Sequence, residues 1–360
     1  MVDDLHWLNY APFSLTRDEK RAWITSRMQA LTAHHYTACQ PYQRILDGLG
    51  VSSQSIVSPE TVPFIPVSLF KQLSLASVAE HDIVKTMTSS GTTGQAVSKI
   101  YLDKLTAANQ QKVLVKIVSA FTGAARMPML IIDAPSVMKD RNMFSARGAG
   151  ILGFSIFGAD RTWALNDDMT LNLEAVEAFA EKYQGKPVLL FGFTFMVWQH
   201  FYQALAGSGN KVDLSAGILI HGGGWKKLHN QAVTPDEFAN RLHAVSGISR
   251  VCDYYGMVEQ TGCIYMQCEH GHLHASVFSD IIIRDPRDFS VCPAGEPGIV
   301  QVMSVIPESY PGHSLLTEDE GILLGEDDCP CGRAGKYFRI LGRLPQAELR
   351  GCSDTYAAQF

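Results

Sequence analysis

The sequence has no block of five like charges, no low-complexity tract and no apolar run long enough to cross a bilayer. Its 30 basic and 36 acidic residues leave a net charge of −6, with nothing that could neutralise a row of phosphates. Wholesale nucleic-acid binding is therefore excluded. Anionic small molecules stay open, because Gly-rich loops and helix N-termini hold them without net positive charge. The longest apolar stretch, 188–198, is broken by Gly192 and Thr194, against the roughly 20 residues a membrane helix needs. The N-terminus is acidic and lacks the basic-then-apolar pattern of a secretion signal, so a cytoplasmic protein without a membrane span is expected. Cysteine is sparse as well: eight residues in 360 do not make a disulfide scaffold. Outside an oxidising compartment, any cysteine cluster points to metal binding or catalysis.

What is present is an ordinary globular composition, 46% hydrophobic against 18% charged, enough for a sizeable core. The length corresponds to about two domain equivalents. Thr16 with Glu19 forms a capping-box pattern before a helix carrying Trp23, Ile24, Met28 and Leu31 on one face. Pro41 opens a second short helix that stops at Gly48 and Gly50. Strand patterns at 83–87 and 98–102 flank a Gly-rich turn, and a long helical pattern follows at 104–121. Apolar strand-like runs at 129–133, 188–191, 218–221 and 250–254 then alternate with helical patterns at 171–183, 196–206 and 235–245. That alternation predicts an α/β fold with a mostly parallel sheet covered by helices. From about 262 the chain changes to short β runs and Gly/Pro turns, which predicts a β-rich subdomain on the α/β core.

The strongest local signal is Thr88-Ser89-Ser90-Gly91-Thr92-Thr93-Gly94. Hydroxyls and glycines at this density make a turn whose N–H and O–H groups can converge on one anion. It is not a Walker A loop, since no Lys follows Gly94 directly, and a polar hairpin turn is the plainer alternative. Tyr254-Tyr255-Gly256-Met257-Val258-Glu259-Gln260-Thr261 offers an aromatic face for a base, a Gly for close approach and a carboxylate suited to Mg²⁺. His221-Gly222-Gly223-Gly224-Trp225 ends an apolar run, and three glycines suit a surface that a flat ligand approaches closely; a plain loop explains them too. Thr317-Glu318-Asp319 and Arg339-Ile340-Leu341-Gly342-Arg343 follow in order.

In order and spacing these segments resemble the core motifs of the adenylate-forming superfamily. Val62-Pro63-Phe64-Ile65-Pro66-Val67-Ser68-Leu69-Phe70-Lys71 and the tail Leu349-Arg350-Gly351-Cys352-Ser353-Asp354-Thr355-Tyr356 resemble its acyl-protein synthetase (LuxE) branch, with phenylacetate–CoA ligases next. The resemblance covers nearly the whole chain. It implies the large domain of adenylate-forming enzymes over 1–343, with an α/β core at about 51–261 and a β-rich subdomain at about 262–343. A tail, 344–360, would carry Cys352, and the usual C-terminal small domain with its catalytic Lys would be lacking.

The resemblance also implies a reaction: ATP and Mg²⁺ convert a carboxylic acid, a fatty acid by preference, to an acyl-adenylate. Ser89, Ser90, Gly91, Thr92, Thr93 and Gly94 would cradle the β- and γ-phosphates, with Thr92 among the catalytic groups. Glu259 would hold Mg²⁺. Tyr255 and Gly256 would meet the adenine beside the Gly222, Gly223 and Gly224 backbone, and Asp253 its amino group. Asp319 would accept the ribose hydroxyls with Arg343 beside it. The phosphate loop departs from the common pattern, because its Lys is replaced by Gln95 and the next candidate is Lys99.

Cys352 would accept the acyl group as a thioester and pass it to an acyl-reductase partner. A thiol on a Gly-flanked tail can swing into a site, and Arg350 nearby favours its thiolate; a surface or packed cysteine is the alternative. Cys268, His270, His272 and His274 precede a Cys329-Pro-Cys331 segment. Thiolates and imidazole at two hairpins suit a tetrahedral zinc, and phenylacetate–CoA ligase relatives have a similar pattern. Cys268, His274, Cys329 and Cys331 are the expected ligands; His270 and His272 share strand parity with His274 and could replace it. Unliganded thiols are the alternative. Cys39, Cys252, Cys263 and Cys292 read as packing, and His221 as a satisfied histidine or pocket wall. Phe191, Phe193, Trp198 and Trp225 are candidate pocket-lining residues. Two other readings compete: an acid ligase delivering its adenylate to CoA or a carrier protein, and a non-catalytic binder of nucleotide or acyl-adenylate.

Overall fold

A computed structural model describes residues 5–89, 97–138 and 146–344. The chain divides into two compact units, one drawn from Met1–Ile117, Met257–Tyr265 and His272–Phe360, the other from Val118–Gly256 and Met266–Gly271.

The second unit holds a parallel sheet in the order Gly158–Trp163, Met127–Ile131, Val188–Phe193, Gly217–Gly222, Arg250–Tyr255. The central strands Val188–Phe193 and Gly217–Gly222 are buried along their whole length. They read as unbroken apolar runs because a parallel strand between helices faces core on both sides. The helices between them start and stop where local chemistry dictates. The Asn172 side chain accepts from the Ala175 N–H to open Leu173–Lys182. Thr234 does the same for Glu237 at the head of Pro235–Ser246, which ends on Gly247 at φ 71°. Val176, Phe179, Trp198, Phe201, Phe238 and Leu242 pack with Leu190 and Leu219 in one apolar cluster.

Two elements of this unit carry no periodic signal, the helix Ala146–Phe154 and the strand Gly158–Trp163. Among the described residues the strand pairs with Met127–Ile131 alone and is half solvent-facing, so its polar sequence suits an edge. The helix expected at 196–206 starts earlier, at Thr194. It passes through a π-helical turn at Val197–Tyr202 and continues over Gln203–Ser208.

The first unit is antiparallel in the order Ser279–Arg284, Pro297–Ser304, Ser314–Glu326, Lys336–Arg343, Leu273–His274, with Ile65–Pro66 added parallel to Ser314–Glu326. The helix Arg17–Ala38 buries Lys20, Ile24, Met28, Leu31 and His35, a stripe at helical spacing. Its capping box forms as expected, the Thr16 N–H donating to the Glu19 carboxylate at 2.9 Å. The buried Lys20 is compensated: its ammonium donates to the Ala275 carbonyl at 2.9 Å and lies 3.8 Å from Asp280. Gln40–Leu49 ends on Gly50 in the left-handed region.

Among the described residues no helix is long and apolar enough to cross a membrane.

Candidate active site

Parallel strands present their carboxyl ends to one side, where ligands of α/β folds gather. Here three adjacent ends bring together Phe193 and Thr194, Gly222–Gly224, and Asp253–Tyr255. The register pairs Phe193 with Gly222, Gly222 with Tyr254, and His221 with Asp253. Gly222 has no room for a side chain: a Cβ there would lie 2.7 Å from the Tyr254 carbonyl. Gly223 and Gly224 are left-handed, at φ 79° and 64°, which only glycine adopts cheaply. Both are exposed, so the backbone itself forms a bare, flat bed. Tyr255 is half-buried and Gly256 exposed beside it.

His221 is buried behind this bed against the Phe238 ring, 4.7 Å away. Burial pushes its imidazole down to about 3, so it is neutral at physiological pH. The Thr194 Oγ1 is 3.0 Å from its Nδ1 and donates to the Gly222 carbonyl at 3.1 Å. Asp253 lies 3.6 Å from the same nitrogen. Burial pushes the Asp253 carboxyl up to about 7 against a hydrogen bond from the Tyr254 backbone, although 44% of its side chain still meets solvent. Of the two readings of His221, the hydrogen bond to Thr194 bears out the satisfied histidine, and Thr194 is a partner that sequence reading passed over. Phe191 and Trp198 are fully buried, at 0% and 2% exposure, and Trp198 belongs to the apolar cluster. Trp225 is half-buried and packs edge-on to Trp198.

In the first unit Glu259 sits in the short turn Val258–Gln260 and is 6% exposed. Burial raises its carboxyl above the ordinary range, while the Ser98 hydroxyl and the charge of Lys71 pull the other way. The turn is clamped on both sides. The Tyr310 hydroxyl donates to the Glu259 carbonyl at 2.8 Å, and Gln260 Nε2 donates to the carbonyls of Gly312 and Val302. Gly262, at φ 87°, lies so near the helix Lys104–Thr122 that a Cβ would come within 2.5 Å of the Gln110 backbone. A buried carboxylate held this firmly matches the hard oxygen donor that Mg²⁺ takes.

Asp319 and Arg343 stand opposite each other on paired strands. Thr317 Oγ1 accepts from the Asp319 N–H at 3.1 Å and donates to the Val300 carbonyl at 2.8 Å, which fixes the Asp319 backbone. The Arg343 guanidinium bonds Glu318, at 2.8 Å.

Ser89 lies at the neck of the hairpin Lys85–Thr88 and Lys99–Leu102, where its Oγ accepts from the Ser98 N–H at 3.0 Å. Lys99 is opposite Thr88 in the register and exposed. Ser90, Gly91, Thr92, Thr93, Gly94 and Cys352 lie outside the described residues.

Cys268, His274, Cys329 and Cys331 place their ligand atoms within 4.8 Å of one another. His274 Nε2 is 3.3 Å from Cys331 Sγ. Burial would raise the Cys331 thiol, but hydrogen bonds from Arg333 and Cys329 bring it below the ordinary range. His272 is in the neighbourhood, with Nδ1 3.3 Å from Cys329 Sγ, and both imidazoles stack on Tyr337. His270 is exposed at the turn. Three thiols and one imidazole at this spread are the donor set of a closed tetrahedral zinc site. Of the cysteines read as packing, Cys39, Cys263 and Cys292 are buried, whereas Cys252 is half-buried and its thiol donates to the Gln267 carbonyl at 2.8 Å.

The fold is that of adenylate-forming ligases. It superposes on an open conformation of 2-hydroxyisobutyryl-CoA ligase in complex with 2-HIB-AMP and CoA with a TM-score of 0.71 at 15% identity, covering 93% of this chain and 80% of that one. The same ligase in its thioesterification state gives 0.71 over 93% and 70%. The family model for acyl-protein synthetase, LuxE, matches residues 1–360, and the chain belongs to that family. Relatives include the long-chain-fatty-acid–luciferin-component ligases of Vibrio harveyi, 22% identical over 100% of this chain and 93% of that one, and of Aliivibrio fischeri, 23% identical over 99% and 93%. The protein is thus an ATP-dependent acyl ligase.

Proposed function

We propose that the protein activates a long-chain fatty acid with ATP, forms an acyl-adenylate, carries the acyl group on Cys352 as a thioester and delivers it to an acyl-reductase partner. The whole-chain family match carries this reading, and the two relatives named as long-chain-fatty-acid ligases support the substrate class. A carboxylate oxygen of the acid attacks the α-phosphorus, the bond to the β-phosphate oxygen breaks, and pyrophosphate leaves. Charge builds on phosphate oxygens, so pre-placed donors and counter-charge do most of the catalysis. Ser89–Gly94 would cradle the phosphates, the Gly222–Gly224 backbone and Tyr255 would sandwich adenine, and Asp253 would accept from its amino group. Asp319 would bind the ribose hydroxyls. The Arg343 guanidinium, engaged with Glu318, would brace that strand pair.

Glu259 would hold Mg²⁺, which when bound supplies positive charge to the phosphates. In the second half-reaction the Cys352 thiolate attacks the acyl carbonyl, AMP leaves with the bonding pair, and the thiol proton passes to solvent. Cys268, His274, Cys329 and Cys331 would hold a structural zinc, a reading supported by the mutual reach of their ligand atoms.

The test is incubation with ATP, Mg²⁺ and a radiolabelled fatty acid. Thioester-bound label is expected on the wild type and absent from Cys352→Ser, while acid-dependent pyrophosphate exchange survives in that variant. Label retained by Cys352→Ser would remove the acceptor role, and acyl-CoA made by unlabelled enzyme would point to delivery to CoA instead.

A further inference from the structure

We propose that Thr194 is a positioning residue that sets nucleobase preference by holding the His221 N–H away from Asp253. The inference deepens the reading above and rests on Asp253 facing the base. Thr194 heads the helical stretch behind the glycine bed and is 5% exposed. We assign its hydroxyl proton to the Gly222 carbonyl, at 3.1 Å. The oxygen can then only accept from His221 Nδ1, at 3.0 Å, so the imidazole carries its proton on Nδ1. A relay results: His221 donates to Thr194, and Thr194 donates to the backbone of the bed.

Asp253 Oδ1 is 3.6 Å from that same Nδ1, beyond hydrogen-bond reach. The carboxyl is held from its own side by the Tyr254 backbone, while the Asp253 N–H is bound by Gln267 Oε1 at 3.2 Å. Its remaining face is open to solvent and to a ligand.

A carboxylate accepts hydrogen bonds and cannot donate them. Adenine presents an amino donor where guanine presents a carbonyl oxygen, so a carboxylate at that edge favours the first and repels the second. Remove the Thr194 hydroxyl and the Nδ1 proton loses its acceptor. A buried donor without a partner is costly, and Asp253 Oδ1 is a few tenths of an ångström outside bonding distance. A small rotation of the ring would pair the two and withdraw the carboxylate from the base.

The experiment compares Thr194→Val, Thr194→Ser and Asp253→Asn in acid-dependent pyrophosphate exchange with ATP and GTP. Thr194→Val is expected to raise KM for ATP about tenfold, the effect of roughly one hydrogen bond, with kcat nearly unchanged and the ATP/GTP preference reduced. Thr194→Ser is expected to keep the wild-type preference; if Thr194→Val does not fold, Thr194→Ala carries the same expectation. An unchanged preference in the hydroxyl-free variant would overturn the role of Thr194, provided Asp253→Asn lowers it. If Asp253→Asn also leaves the preference unchanged, the placement of Asp253 at the base fails.

Discussion

Tyr310 donates its phenolic proton to the backbone carbonyl of Glu259 across 2.8 Å, although 51 residues separate them. The bond joins the loop before the strand Ser314–Glu326 to the turn carrying the proposed Mg²⁺ ligand. Gly312 on the same loop approaches Glu259 so closely that a Cβ would lie 2.8 Å from that carbonyl oxygen. The carboxylate is thus aimed by its backbone before any ligand arrives, which is what pre-organisation requires.

Tyr310→Phe should fold and lose this one bond, costing roughly 1–3 kcal/mol because a buried acceptor is left without its donor. The expected readout is a higher Mg²⁺ requirement in pyrophosphate exchange. An unchanged Mg²⁺ titration would show that the clamp does not serve the carboxylate. Gly312→Ala should be worse on both stability and activity, since the Cβ meets backbone that cannot move aside.

The glycine bed predicts a different signature. Gly222→Ala should raise KM for ATP and lower thermal stability, because its Cβ collides with the Tyr254 carbonyl. Gly224→Ala has open space around it and should suffer only the cost of left-handed backbone, about 1 kcal/mol, with a correspondingly smaller change in KM.

Asp253 supplies a pH dependence. Its carboxyl is raised to about 7, so the ionised acceptor that would suit an amino group forms only as pH rises through that value. KM for ATP should fall between pH 6 and 8, and Asp253→Asn should flatten the profile. The linked effect on the fold has the opposite sense. With the native pKa above 3.8, the native state binds more protons, and stability is lost as pH climbs from about 3.8 to about 7.

A second pH effect has its origin in the first unit, where His313 stacks on His35 at 4.9 Å, wholly buried. Burial, with smaller contributions from the charges of Arg27 and His34, pushes His313 down to about 3 from 6.5. Its Nε2 lies 3.0 Å from Thr32 Oγ1, while His35 contacts Ser77 and the Pro307 carbonyl. The unfolded chain therefore binds protons that the native state refuses. Stability is complete above 6.5 and is lost as pH falls toward about 3. Urea midpoints at pH 8 and pH 5 should differ in that direction, and by less in His313→Asn.

The thiol cluster predicts about one equivalent of zinc per chain in purified protein, measured by elemental analysis. Cys331→Ser should lose the metal and several degrees of thermal stability, since a structural site contributes folding energy directly. Metal content unchanged in Cys331→Ser would remove that residue from the ligand set.

Much of the architecture was legible in the sequence because it is written in local terms. Apolar runs marked the buried parallel strands, and the Thr16–Glu19 capping box marked the helix start at Arg17. The order of Gly-rich, aromatic and acidic segments indicated the adenylate-forming class. The helix Ala146–Phe154 and the edge strand Gly158–Trp163 were not legible, since one is a 9-residue segment rich in glycine and the other lacks alternation.

The tertiary structure decided the pairings between distant residues. Three histidines of equal parity precede Cys329, yet His274 closes the cluster with Cys331, His272 turns its Nδ1 to Cys329, and His270 faces solvent. Arg343 stands opposite Asp319 but gives its guanidinium to Glu318. Thr194 reaches the carbonyl of Gly222, and Tyr310 that of Glu259. Periodicity and capping are properties of a few consecutive residues, so the sequence alone sets them. A hydrogen bond across many residues depends on strand register and on how closely two backbones can approach, and those distances exist only once the chain has folded.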